Sequence, residues 1–254
     1  RPNNVHSQVA STDSHYIAPI KPARNPAAAF AKLTEIVCAM PRVTVVGNSF
    51  GGGNVQLYAY RYPDEVKALV LVEAQHEDET ERMNAASEGK LKQMYAMQAE
   101  MQKACVAESE KGFAPGSEMT VMCTGGIQER HGRKLAAAHL AAATSPVYWR
   151  AAASEMGNIE VSNAELRAAR RSFGAMPVVV LSRGVSPYAI PGKPQSALNK
   201  AMEQANLAVH QELAALSSRG VHRIVPGAGH IIQHDKPAAV VHAVEEALKM
   251  VQHR

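Results

Sequence analysis

The sequence predicts an α/β domain, a parallel sheet with flanking helices, interrupted by a helical insertion. Three observations carry that prediction. Short apolar runs, "RVTVV", "VKALVLVE" and "MPVVVLSRG", alternate with stretches whose apolar residues recur at helical spacing. The runs are continuous, as expected of strands buried on both faces of a parallel sheet. Between His76 and Ala175, a long segment rich in Ala, Met, Glu and Lys contains no strand signal. At 254 residues and 46% hydrophobic, the chain has material for one such core with an insertion.

Each element has its own signal. From Asn25, "NPAAAFAKLTEIVCAM" combines an N-cap, a proline at the first helical position and helical spacing. "RVTVV" follows as a strand, and "SFGGGNVQLYAYRYP" returns to helical spacing until Pro63 stops it. "VKALVLVE" is the next strand. Strand, helix, strand in this order implies a parallel pair joined by a crossover. The insertion carries helix signals over 77–108, 127–144, 146–156 and 163–171, and most methionines in its "MYAMQAEM" stretch are expected in the packing between helices. After "MPVVVLSRG" come a helix over 195–218, the strand "VHRIV", the loop "PGAGH" and a final helix over 237–252.

Composition excludes several classes. Net charge is +4, but Lys and Arg are scattered, and the clusters over 130–134 and 167–171 read as solvated helix faces. No basic stripe interleaves with aromatics, so nucleic acid is not an expected partner. No apolar run approaches the roughly 18–20 residues needed to span a bilayer, and "RPNNVHSQVASTDSHY" has no apolar signal-peptide core. No Cys/His cluster has zinc spacing. Cys38 reads as a buried thiol. Cys105 and Cys123 flank a turn-rich loop and are either free thiols or a disulfide, which would suggest an oxidising, secreted or periplasmic setting.

The chemistry concentrates at Gly47-Asn48-Ser49-Phe50-Gly51, between a strand and a helix. Glycine on either side of Ser49 lets the backbone take a strained turn that holds the hydroxyl out at the carboxyl edge of the sheet. The following helix aims its N-terminus at the same place, where negative charge is favoured. Ser49 is thus the candidate nucleophile, Gly47 and Gly51 the elbow glycines, and the Phe50 amide the candidate oxyanion donor. A serine needs a base. Among 11 histidines, His230 follows the last strand in a loop freed by two glycines and can reach the sheet edge. His234 lies beside a helix start, His222 within a strand, and His131, His139, His210, His242 and His253 in helical patterns. The third member is less direct. The loop after "PVVVL", "SRGVSPYAIPGKPQ", contains no acid, and the nearest, Glu203, lies well into the next helix. Glu73, ending "LVLVE", is the candidate orienting carboxylate, with Glu77 and Asp78 as alternatives and a plain capping role as the bland one.

Together, "VVGNSFGGGNVQLYAYRYPDEVKALVLVE", the helical insertion, "MPVVVLSRG" and "GAGHIIQHDKP" resemble an α/β-hydrolase of the serine-esterase type. The resemblance runs from Val43 to Gln252. It implies a Ser-His-acid triad, with Ser49 and His230 on the family motifs, and an acyl-enzyme route on a small apolar ester. That serine-hydrolase chemistry needs neither a metal nor an organic cofactor. It implies a core of 1–75 and 176–254 and a cap or lid of 76–175. In some members the acid follows the strand that Glu73 ends, usually as Asp; Glu is a departure. The spacing of Cys105 and Cys123 resembles that of cap cysteines in secreted bacterial members. A larger departure lies before Ser49: the strands that open the family fold, and the His-Gly motif supplying a second oxyanion amide, have no counterpart. The expectation is a fragment of a longer hydrolase, with one piece of a two-chain assembly, or a truncated fold that self-associates through its exposed edge strand, as the alternatives. The alternative to an active esterase is an impaired fragment or a non-catalytic binding scaffold.

Overall fold

A computed structural model describes residues 43–125, 133–190 and 192–252. Within them four strands, β1 (Val43–Ser49), β2 (Val66–Ala74), β3 (Val178–Arg183) and β4 (Gly220–Val225), form one sheet in the order β1-β2-β3-β4. β2 pairs with β3, and β3 with β4, in parallel; Leu69 stands opposite Val178 and Val180 opposite His222. Helix α1 (Phe50–Arg61) links β1 to β2. Between β2 and β3 lie α2 (Glu79–Ala86), α3 (Lys90–Lys111), α4 (Glu118–Thr124), α5 (Arg133–Ala143), α6 (Pro146–Gly157) and α7 (Ile159–Ala169). Helix α8 (Ala197–Ala215) joins β3 to β4, and α9 (Ile232–Asp235) and α10 (Pro237–Gln252) close the described chain.

The apolar runs are buried because both sheet faces are covered. Ala68, Val70, Val72, Val179 and Leu181 pack with Ala243 and Ala247 of α10. The intervening Leu69, Leu71, Val178 and Val180 pack on the opposite side with Ala59 of α1 and Leu213 and Ala214 of α8. Period-two alternation thus divides one hydrophobic run between two cores. The parallel sheet with flanking helices is the predicted architecture.

The insertion departs from the sequence pattern in detail. The helix expected over 77–108 is broken at Ser87–Gly89, where Glu88 and Gly89 have φ of 54° and 86°. A left-handed pair cannot continue a right-handed helix. Helix α7 starts four residues earlier than its signal. Helix α4 occupies what reads as a turn-rich loop; its N-cap Ser117 accepts a hydrogen bond from the Thr120 amide at 3.1 Å. Cys105 and Cys123 are joined by a disulfide that ties α3 to α4, with Cα atoms 5.7 Å apart. Met94, Met97 and Met101 line an exposed side of α3, at 41%, 75% and 37% exposure, rather than the helix packing expected of them. The helix expected from Asn25, the thiol Cys38, and His131 and His253 fall outside the described residues.

Candidate active site

The turn after β1 is sterically constrained. Ser49 has φ 53° and ψ −127°, a conformation that side chains rarely adopt. A Cβ on Gly47 would lie 2.5 Å from the Gly51 carbonyl oxygen and 2.7 Å from Val55 Cγ2. A Cβ on Gly52 would lie 2.3 Å from that of Ala74. At Gly51, the second glycine of the sequence motif, a Cβ would meet nothing within 4 Å. The requirement for close approach therefore falls on Gly47 and Gly52, because the helix turns Gly52 toward β2 and Gly51 away from it. Buried Gln56 secures the turn, donating to Gly52 O at 3.0 Å and Gln75 O at 2.8 Å, while the Gln75 amide donates to Ser49 O at 2.9 Å.

His230 arrives from the opposite end of the chain. After β4, Gly227 takes φ 72°, and Ala228 O accepts from the amides of Gly184 and Val185 at 3.0 and 2.9 Å. The Gly229 amide donates to Asp235 Oδ2 at 2.8 Å. The loop so held brings His230 Nε2 to 2.9 Å from Ser49 Oγ, across 181 positions of sequence. Partial burial lowers the His230 pKa, Glu73 opposes that shift, and the Arg183 charge adds to it. The shift favours the neutral imidazole, whose Nε2 can accept the Ser49 proton when Nδ1 carries its own. Phe50 is the first residue of α1, and among the described residues no acceptor takes its amide.

Glu73 is not brought to His230. Its backbone has φ 44°, and its carboxylate is turned into the core, where Oε2 accepts from the Arg183 amide at 2.6 Å. Oε1 accepts from the Arg183 guanidinium and, at 3.0 Å, from Asn206 Nδ2. Arg183 also donates Nε and Nη2 to Glu203 at 3.0 and 2.9 Å. The last residue of β3, just before the acid-free loop, is thus an arginine that gathers two carboxylates, Glu203 included. Among the described residues no acceptor is hydrogen-bonded to His230 Nδ1. Glu77 and Asp78 face elsewhere: Glu77 pairs with Arg170, and Asp78 accepts from Arg167 Nη2 at 2.7 Å. His234 lies in α9, exposed, 3.2 Å from Asp235.

Beside this site runs a second polar chain. Ser182 Oγ lies 2.6 Å from His210 Nδ1 and 2.7 Å from His222 Nε2, and His210 Nε2 lies 3.0 Å from Ala74 O. Since a carbonyl can only accept, His210 donates from Nε2. Its Nδ1 therefore accepts from Ser182, which in turn accepts from His222. Burial lowers the pKa of both histidines. This serine is fully enclosed and offers no rival nucleophile.

One cluster has the donor types for a cation. Ligand atoms of His76, Glu77 and Asp78 lie within 4.8 Å of one another. Their positive partners are already in place. Arg170 reaches both His76 Nε2, at 2.7 Å, and Glu77, and the Asp78 amide occupies His76 Nδ1 at 3.0 Å. Arg82 meanwhile donates to Glu212 of α8 at 2.5 and 2.9 Å. The Arg82–Glu212 ion pair ties α2 to α8, and Arg167 of α7 pairs with Asp78 at the start of α2. No helix among the described residues is long and apolar enough to cross a membrane.

Comparison with known proteins agrees with this architecture. The family described as alpha/beta hydrolase fold matches residues 40–116. No curated protein sequence matches. Among solved structures, a candidate acyltransferase from Salmonella enterica superposes with a TM-score of 0.55 at 14% identity, covering 89% of this chain and 69% of that one. An epoxide hydrolase from Bacillus megaterium gives 0.50 at 17%, covering 86% and 74%. A thermophilic esterase from Thermogutta terrifontis gives 0.48 at 19%, covering 87% and 70%. The chain has the α/β-hydrolase fold.

Proposed function

We propose that this α/β-hydrolase-fold chain is a serine hydrolase that cleaves carboxylic esters through an acyl-enzyme. The observation that carries the proposal is the 2.9 Å contact between Ser49 Oγ and His230 Nε2, with Ser49 held at φ 53°. As Ser49 Oγ bonds to the ester carbonyl carbon, its proton passes to His230 Nε2. The carbonyl oxygen becomes an oxyanion facing the Phe50 amide at the helix N-terminus. Collapse expels the alcohol, which takes the proton back from His230 Nε2. Water, deprotonated by the same nitrogen, then attacks the acyl-enzyme and releases the acid and Ser49. A serine nucleophile fits this route better than epoxide opening by an attacking carboxylate. The insertion over 76–175 is proposed as the cap of the substrate pocket, and its Met- and Ala-rich composition favours an apolar acyl or alcohol group.

A second reading, a hydrolase-like scaffold without turnover, draws on Glu73, whose carboxylate serves Arg183 instead of His230. Loss of the orienting carboxylate costs a serine triad about 10⁴ in kcat. Hydrolysis of p-nitrophenyl butyrate by this chain and by Ser49→Ala separates the two. Turnover that disappears in the variant, with fluorophosphonate mass added at Ser49, supports the hydrolase. Equal background rates in both proteins support the scaffold.

A further inference from the structure

The Ser49–His230 pair joins the end of β1 to the loop after β4, from distant parts of the chain, and the geometry shows what holds one to the other. Asn48 precedes the serine, and its side chain reaches three elements. Nδ2 lies 2.9 Å from Val72 O, near the end of β2, and 3.3 Å from the main-chain oxygen of His230 itself. Oδ1 accepts from Gln233 Nε2 of α9 at 3.1 Å. A primary amide has two N–H donors and one carbonyl, and all are used here. Aspartate would lose both donors, and leucine every bond. Other contacts of the base loop belong to its neighbours: Ala228, Gly229 and Asp235. Among the described residues, the only hydrogen bond to the His230 main chain is the one from Asn48.

We infer that Asn48 is a positioning residue, whose side-chain amide fastens the backbone of the base to the strand that delivers the nucleophile and so sets the Ser49–His230 separation. The inference rests on the proposed pairing of Ser49 with His230. Two variants test it, Asn48→Ala and Asn48→Leu, the second retaining volume. Each is followed by the rate of fluorophosphonate capture at Ser49, by NMR titration of the His230 ring with His230→Gln as assignment control, and by thermal melting.

Capture is expected to slow about ten- to hundredfold, since displacement near 1 Å has effects of that size. The His230 midpoint is expected to rise toward that of ordinary imidazole, because a ring no longer pinned gains water. The charged groups that bear on it, Glu73 from β2 and Arg183 from β3, are unchanged in both variants, as is Asp235, which holds its loop. A folded Asn48→Leu protein with unaltered capture rate and midpoint would overturn the inference. If the parent protein takes no label at Ser49, the hydrolase proposal fails by itself, and the titration still judges Asn48: an unmoved midpoint refutes it.

Discussion

Two neighbouring glycines of α1 should respond to the same substitution with opposite signs. At Gly52 a new methyl would sit 2.3 Å from Ala74 Cβ, more than 1 Å inside ordinary contact, and 2.8 Å from Ala74 Cα. Ala74 ends a strand buried on both faces, so the strain cannot be relieved by a flexible side chain. The helix must lift from the sheet, and overpacking of this kind costs about 1–3 kcal/mol. At Gly51 the methyl would enter open space, with no positive φ to forbid it. There the smaller entropy of the unfolded chain stabilises by about 0.4–1 kcal/mol. At about 2–4 °C per kcal/mol for a domain of this size, Gly52→Ala should melt roughly 2–12 °C lower and Gly51→Ala a few degrees higher. Differential scanning calorimetry with urea unfolding at constant m-value measures both. Destabilisation by Gly51→Ala equal to that by Gly52→Ala would refute the assignment of the close approach.

Two further outcomes follow from buried groups. His76 is enclosed, and desolvation lowers its pKa to about 4, against about 6.5 when unfolded. The unfolded chain then takes the proton first, so stability is complete above pH 6.5 and declines by about 3 kcal/mol as pH falls toward 4; urea titrations across that range should show the decline, and His76→Gln should flatten it. The Cys105–Cys123 bridge closes a loop with a sequence separation of 18, for which chain entropy gives about 3 kcal/mol; Cys105→Ser with Cys123→Ser should lose that amount in urea unfolding, and dithiothreitol should then have no further effect.

The sheet was legible because burial on both faces leaves continuous apolar runs such as Val178–Leu181, which need little context to recognise. Ser49 and His230 were legible for a local reason as well: each stands in a glycine turn beside a strand, and such turns have few physical uses. Helix boundaries in the insertion were less so. The break at Glu88–Gly89 turns on a left-handed pair in which Glu88 carries no glycine signal, and α4 depended on a capping Ser117 hidden in a polar stretch. The surroundings of the pair were least legible. Arg183 meets Glu73 across 110 positions, and Asn48 meets His230 across 182. Neither contact leaves a local pattern, and the fate of Glu73 depended on an arginine at the end of β3, before a loop notable in sequence only for its missing acid.

Ser49 occupies a backbone shape that glycine would accept freely and serine accepts only under compulsion. Conformations of that kind cost about 1–3 kcal/mol each. On the proposed role of Ser49 as nucleophile, robustness and reactivity compete for one position. A library screened solely for heat tolerance would drift toward glycine there and become sturdier while losing the proposed reaction; only a screen that also demands ester turnover would keep the hydroxyl in place.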